Sequence, residues 1–174
     1  MSTGLGHCSL EPAYLIEMYV TAANPVGELD SGSTFVHYEF SVGSMSTVEG
    51  YTGPHIDGQV VNAGDWLYID PSQEHASVNV KGVVRTLNGA SLYFSWNGHA
   101  YLDDDTMASF PRAVESERAP FGRLTTLNSF KSGDPSFKAL NNTCFVGNGR
   151  YIVKNGQIGV EARLARVVPS KHDV

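Results

Sequence analysis

The side chains able to do chemistry in this chain are few and come at short spacings. Asp65 sits in the run Ala63-Gly64-Asp65-Trp66-Leu67, which is otherwise apolar. Desolvation in such a run raises a carboxyl pKa, so the group can keep its proton near neutral pH and serve as a general acid. Arg85, in a valine-rich segment, could orient a ligand oxygen, stabilise a phenolate, or act as the structural partner of Asp65. His37 and Glu39 are two residues apart, on one face of a strand and within reach of each other. They read as an acid/base pair or as two polar residues on a wet face. His55 and Asp57 repeat that spacing in the loop-like run from Tyr51 to Gly58, the kind of polar loop that contributes to sites at a barrel mouth. The aromatic residues Tyr14, Tyr38, Tyr68, Tyr93, Tyr101, Phe40, Phe94, Trp66 and Trp96 could stack on a flat aromatic ligand or pack as ordinary strand residues. Asp65 and Trp66 are neighbours, however, and a regular strand sends neighbours to opposite faces.

Other chemistries lack their signatures. No Gly-x-Gly-x-x-Gly opens a helix, and there is no phosphate loop or Gly-x-Ser-x-Gly elbow. A metal centre needs three converging ligands, which two separate histidine–carboxylate pairs do not supply. Cys8 and Cys144 have no activating basic neighbour in sequence and are too few and too distant to suggest a disulfide framework. No metal and no cofactor are expected. The 12 basic and 18 acidic residues give a net charge of -6, with no basic cluster, which excludes a nucleic-acid partner. Asp103-Asp104-Asp105 reads as a solvated turn. No apolar stretch approaches the ~20 residues of a membrane helix, and the first residues lack a signal peptide's charged and apolar regions. A soluble, cytoplasmic protein with two free thiols and no membrane partner is expected.

The elements that must position these residues are strands. Period-2 alternation dominates over residues 14–21, 35–42, 58–62, 65–70, 76–86, 91–96, 123–129, 143–154 and 157–168. Ala23-Asn24-Pro25 reads as the turn closing the first strand, and Asn88-Gly89 and Asn155-Gly156 as hairpin turns. Residues 101–120 read as a long loop or short helix, and the tail from Pro169 as frayed. Eight to nine strands with little helix predict an all-β, closed antiparallel β-barrel, a single domain over 1–174 with its core at about 10–168. Charged residues are 17% of the chain, against roughly 25% in an ordinary soluble domain. Polar uncharged residues take their place on alternate strand positions, such as Ser77 and Asn79 against Val78 and Val80. Such a polar face suits the lumen of a barrel that holds a neutral aromatic, or an ordinary wet exterior.

Three segments carry a resemblance. Ala63-Gly64-Asp65-Trp66-Leu67 resembles the Gly-x-Asp-Trp signature of the small proteins grouped as DUF3237. Val83 to Tyr93 resembles the family's arginine strand and the hairpin that follows it, with Leu87-Asn88 where the family has an Asp-Asp pair. Phe130-Lys131-Ser132-Gly133-Asp134-Pro135, continuing through Leu140-Asn141 to Gly149, resembles a third element. The order and spacing agree over roughly residues 10 to 168.

The resemblance implies a lipocalin-like barrel, usually a homo-oligomer, with no established cofactor. Some fungal members accompany aromatic polyketide pathways, and one such activity is intramolecular hydroalkoxylation of a prenylated phenol of the phenalenone type to a dihydrofuran. A cofactor-independent cyclase acting on a small prenylated aromatic is therefore the expected function. Asp65, Glu39, Arg85 and His37 are its candidate catalytic residues, and Trp66, Tyr68, Tyr93, Phe40, Trp96 and His55 the candidate substrate contacts. The alternatives are a related non-redox pericyclase or isomerase, a non-catalytic carrier of a small apolar ligand, or a filled structural barrel.

Overall fold

A computed structural model describes residues 6–102 and 117–170. The acidic run 103–105, most of the stretch 101–120 and the last four residues of the tail lie outside them. The strands are β1 (Ser9–Glu28), β2 (Thr34–Thr47), β3 (Asp57–Ile69), β4 (His75–Thr86), β5 (Ser91–Tyr101), β6 (Glu117–Arg118), β7 (Leu124–Lys131), β8 (Phe145–Lys154) and β9 (Gln157–Val168). The eight long strands pair antiparallel in chain order, and β9 pairs with both β8 and β1, closing the ring. The two-residue β6 adds to β8 beyond the reach of β7. This is the all-β closed barrel the alternation predicts.

Local chemistry explains where prediction and structure part. Asn155 and Gly156 both take positive φ, 52° and 74°, which is the geometry of a tight β8–β9 hairpin. Pro25 does not end β1. The strand runs on to Glu28 against β2 alone, since β9 pairs only as far as Tyr19, and a proline is tolerated on that unpaired edge. The two short strands read at 58–62 and 65–70 are one strand, β3, with a bulge at Val61. A second irregularity at Ser41 in β2 turns Val42 outward, where it is 50% exposed.

One end of the barrel is filled. Tyr14, Phe94, Phe130 and Phe145 are buried there with Ile16, Met18, Met45 and Leu164. A 3-10 helix over Pro135–Asn142 plugs this end with Phe137 and Leu140. Its approach is fastened by Asn141, whose Oδ1 accepts from Ser132 N–H at 2.8 Å and whose Nδ2 donates to the Ser132 carbonyl at 3.0 Å. Asp134 caps the helix by accepting from Ser136 N–H. The third family-like segment is thus explained as a structural plug. A second, smaller apolar cluster, including Val36, Leu67, Val78, Leu102 and Leu124, lines the opposite end.

The polar strand faces point outward. Val78, Val80 and Val84 are buried while Ser77, Lys81 and Arg85 are exposed, and the interior is mainly apolar. Of the two settings open to the Ser, Asn and His faces, the wet exterior is the one the structure shows, and the lumen is not. Because Phe94 is fully buried and Leu127 is 69% exposed, Phe94→Ala is expected to cost about 3–5 kcal/mol. Leu127→Ala should stay within about 0.5 kcal/mol of wild type. Urea unfolding curves of both variants check this contrast.

Candidate functional site

The second end of the barrel is hollow. A cavity of ≈ 220 Å³ opens among Val20, Phe40, Leu67, Val78, Leu124 and Val160, with Asp65, Tyr38 and Tyr151 as its side chains bearing polar groups. Alternation explains the choice of residues. Tyr38 on β2 and Asp65 on β3 are direct cross-strand partners and share the inward face, while Tyr151 comes in from β8.

Asp65 occupies an interruption in the sheet. β3 and β4 are paired at Gly64–Lys81 and Asp65–Val80, and pairing resumes only at Tyr68–Ser77. In the gap the Asn79 N–H donates to Asp65 Oδ1 at 2.9 Å, so the side chain satisfies a donor that the ladder leaves free. Asp65 is 8% exposed. Burial pushes its pKa up to about 6, the Asn79 hydrogen bond acting in the opposite direction. Burial also raises the Tyr38 and Tyr151 phenols, and the nearby Asp65 carboxylate adds to it in both. Arg123 counteracts the shift of Tyr151. The cavity therefore offers a carboxyl that titrates near neutrality beside two phenols that stay protonated. Such a set can deliver and recover a proton within an apolar enclosure.

The candidate residues divide between the two sides of the wall. Asp65 and Phe40 line the cavity, and Trp96 is buried in the packed core. His37 and Glu39 lie on the outer face of β2, so they share no cavity with Asp65. The His37 ring stacks on Trp66 at 4.2 Å, and Glu39 Oε1 accepts from Asn24 Nδ2 at 2.8 Å. The wet-face alternative describes them. Trp66, Tyr68 and Tyr93 also point outward, being 44%, 42% and 37% exposed. Arg85 is exposed on the outer face of β4, five residues beyond the partner of Asp65. That offset is roughly 17 Å along a strand and rules out the Asp65–Arg85 pair. His55 is exposed in the β2–β3 loop at the filled end, away from the cavity.

Two features escaped the sequence reading. Tyr151 lines the cavity, and only the register of β8 shows that it faces inward. The other is an ionic cluster outside the barrel. Glu161 is 1% exposed and accepts from Arg150 at 2.7 and 3.0 Å, with Arg118 and Arg163 each at 3.6 Å. Arg118 also reaches Glu17 at 3.9 Å, and the Arg150 and Arg163 guanidinium groups lie over Phe121. The partners come from four separated segments, so no local spacing announces them. A buried carboxylate with several cations fastens the chain around Arg118 and Phe121 to the barrel wall. Among the described residues, no group of three or more His, Cys, Asp or Glu could hold a metal ion.

Residues 8–167 match the model of a family described as "Protein of unknown function (DUF3237)". No curated protein matches the chain. A protein of unknown function from Clostridium acetobutylicum superposes with a TM-score of 0.72 at 17% identity, over 94% of this chain and 99% of that one. A β-barrel-like protein from Acinetobacter baumannii gives 0.64 at 17% identity, covering 91% and 96%. A structure described as an enzyme from Penicillium herquei gives 0.59 at 12% identity, covering 94% and 99%. At these identities the likeness is one of fold.

The raised pKa of Asp65 has a consequence for stability. The folded chain binds this proton more tightly than the unfolded chain, whose aspartates titrate near 4. Ionisation therefore opposes folding: stability falls as pH rises from about 4 to about 6, and the penalty of order 1–3 kcal/mol is complete above that window. Asp65→Asn, which keeps an acceptor for Asn79 N–H, is expected to be more stable than wild type at pH 7 by that order. The gain should vanish near pH 4, as denaturant titrations at both pH values would show.

Proposed function

The chain belongs to the DUF3237 family, and from that premise we propose that it is a cofactor-independent cyclase that closes an oxygen ring on a small prenylated aromatic. The observation that carries this reading is Asp65, a carboxyl with a pKa near 6 in an apolar cavity, beside two phenolic hydroxyls. Apolar walls suit a prenyl arm, and the likeness in fold to a fungal protein described as an enzyme favours a catalyst over a carrier.

The reaction is an isomerisation. Protonated Asp65 gives its proton to the terminal alkene carbon of a 1,1-dimethylallyl arm beside the phenol, while the phenol oxygen bonds to the inner alkene carbon, so C–H and C–O bonds form as the alkene π bond is consumed. The C–O bond closes the five-membered dihydrofuran, and the phenol O–H proton returns to the Asp65 carboxylate. Atoms and charge balance with no external reagent. The Asn79 N–H favours the carboxylate that forms after proton donation, which keeps the acid from being too weak. Tyr38 and Tyr151 hold the phenol oxygen by hydrogen bonds, and confinement folds the flexible arm toward it, lowering the entropic part of the barrier.

The test uses purified full-length protein with a prenylated phenol of the phenalenone type. Cyclised product is expected, with kcat falling as pH rises through about 6. Asp65→Asn should lower kcat by about 10²–10⁴-fold with ligand affinity retained, while His37→Ala and Glu39→Gln leave kcat unchanged. Tight ligand binding without product at any pH would mean that the barrel is a carrier and would sink the cyclase reading.

A further inference from the structure

We propose that Glu161 is a positioning residue for the cavity: through Arg118 and Arg150 it holds β6 on the edge of β8, and so fixes the Tyr151 phenol that faces the ligand. Strand pairing shows why β8 needs such a hold. β7 runs beside β8 only from Phe145 to Gly149. Beyond that, β6 takes over the edge, with Arg118 opposite Ile152 and Glu117 opposite Val153, while β9 keeps the other edge. The Ala119 N–H extends the contact by donating to the Tyr151 carbonyl at 3.0 Å. Tyr151, which lines the cavity with Asp65, therefore stands on a stretch of strand whose neighbour on one side is two residues long. So short a strand keeps its place only if something besides its ladder hydrogen bonds fastens it.

The ionic cluster supplies the fastening. Register sets Glu161 opposite Arg150 on β8 and opposite Glu17 on β1. Carboxylates that face each other across two strands repel, and Arg118 of β6 reaches both, at 3.6 Å from Glu161 and 3.9 Å from Glu17. Glu161 is 1% exposed, so its loss would leave the half-buried Arg150 guanidinium without its carboxylate. Farther along, the Phe121 ring lies under the Arg150 and Arg163 guanidinium groups, at 4.2 and 5.3 Å. Gly122, at φ 94°, then turns the chain, and its N–H donates to Asn148 Oδ1 at 3.0 Å. Arg123 N–H donates to the Gly149 carbonyl at 3.0 Å, and β7 begins at the cavity-lining Leu124. The segment from Arg118 to Arg123 is thus tied to β8 along its length.

Alternation turns this outer clamp into an inner constraint. Arg150 and Glu161 form one cross-strand pair, and Tyr151 and Val160 form the next. Strand neighbours point to opposite faces, so the ion pair lies outside, directly behind two residues of the cavity wall. A displacement of β8 there moves the Tyr151 hydroxyl, and a hydrogen bond weakens steeply once its geometry is lost. The inference rests on the proposed role of Tyr151 as a partner of the ligand's phenol oxygen. Glu161 itself touches no ligand and acts through Tyr151.

Affinity for a ligand that cannot react tests it. The probe is the same phenol with its alkene reduced to a 1,1-dimethylpropyl arm, titrated calorimetrically into the full chain, with circular dichroism as the check on folding. Tyr151→Phe is expected to weaken binding about three- to tenfold, the size of one neutral hydrogen bond. Glu161→Gln and Arg118→Met should each weaken it by a similar factor, yet change it by less than about twofold in the Tyr151→Phe background. Arg118 has an exposed side chain, so its variant decides the matter if Glu161→Gln does not fold. Arg166→Met breaks the 3.1 Å bridge to Glu11 between β9 and β1 at the filled end, and should leave affinity unchanged. Folded Glu161→Gln and Arg118→Met proteins that bind like wild type would overturn the proposal. So would a loss that persists in full in the Tyr151→Phe background, an equal loss in Arg166→Met, or a wild type that does not bind the probe. A wild type that binds the probe as expected but forms no product from the alkene removes the cyclase reading and leaves this inference standing.

Discussion

The burial of one carboxyl organises this barrel's hollow end. Removing an aspartate from water is unfavourable unless the group is neutral or well bonded, and Asp65 meets both conditions in part. It takes the Asn79 N–H that the interrupted β3–β4 ladder leaves free, and its pKa moves up to about 6. The break in pairing, the apolar walls and the two flanking phenols all bear on the same proton. Filling this end with hydrocarbon, as at the other end, would be the more stable solution.

The two ends show how one meander supports both packing and a cavity. At the filled end, four aromatic rings and the plug of Phe137 and Leu140 occupy the lumen. At the hollow end, the inward positions carry mostly aliphatic side chains of moderate size, such as Val20, Val78 and Val160, which line the wall without meeting across it. The strand β3 serves two surfaces at once. In Gly64-Asp65-Trp66 the aspartate faces the cavity, while the glycine admits the His37 ring beside Trp66 outside. A short signature thus combines a chemical group with a surface feature, because strand neighbours point in opposite directions.

That alternation made much of the fold legible. Strand number, the closed antiparallel ring, the β8–β9 hairpin and the inward valines of β4 all follow from period and turn residues. Which face was inside did not follow, since polar uncharged side chains suit a wet lumen and a low-charge exterior equally well. Hence Asp65 and Phe40 lie on the cavity wall, while His37, Glu39, Trp66, Tyr68, Tyr93 and Arg85 lie on the exterior. Tyr151 and the Glu161 cluster were missed because their partners are distant in sequence and meet only through strand register. The polar uncharged residues that take the place of charge belong to the outside of the barrel, as Ser77 beside the buried valines of β4 shows.

The central claim is that the barrel holds Asp65 as a proton donor that titrates near neutrality. It is tested most directly by carboxyl ¹³C NMR titration of the folded protein labelled at aspartate, with Asp65→Asn assigning the resonance. A midpoint near 6 for the Asp65 signal is the expected result. A midpoint at or below the ordinary aspartate value of about 4 would contradict it, because the carboxyl would then be ionised throughout the range in which the proposed chemistry needs its proton.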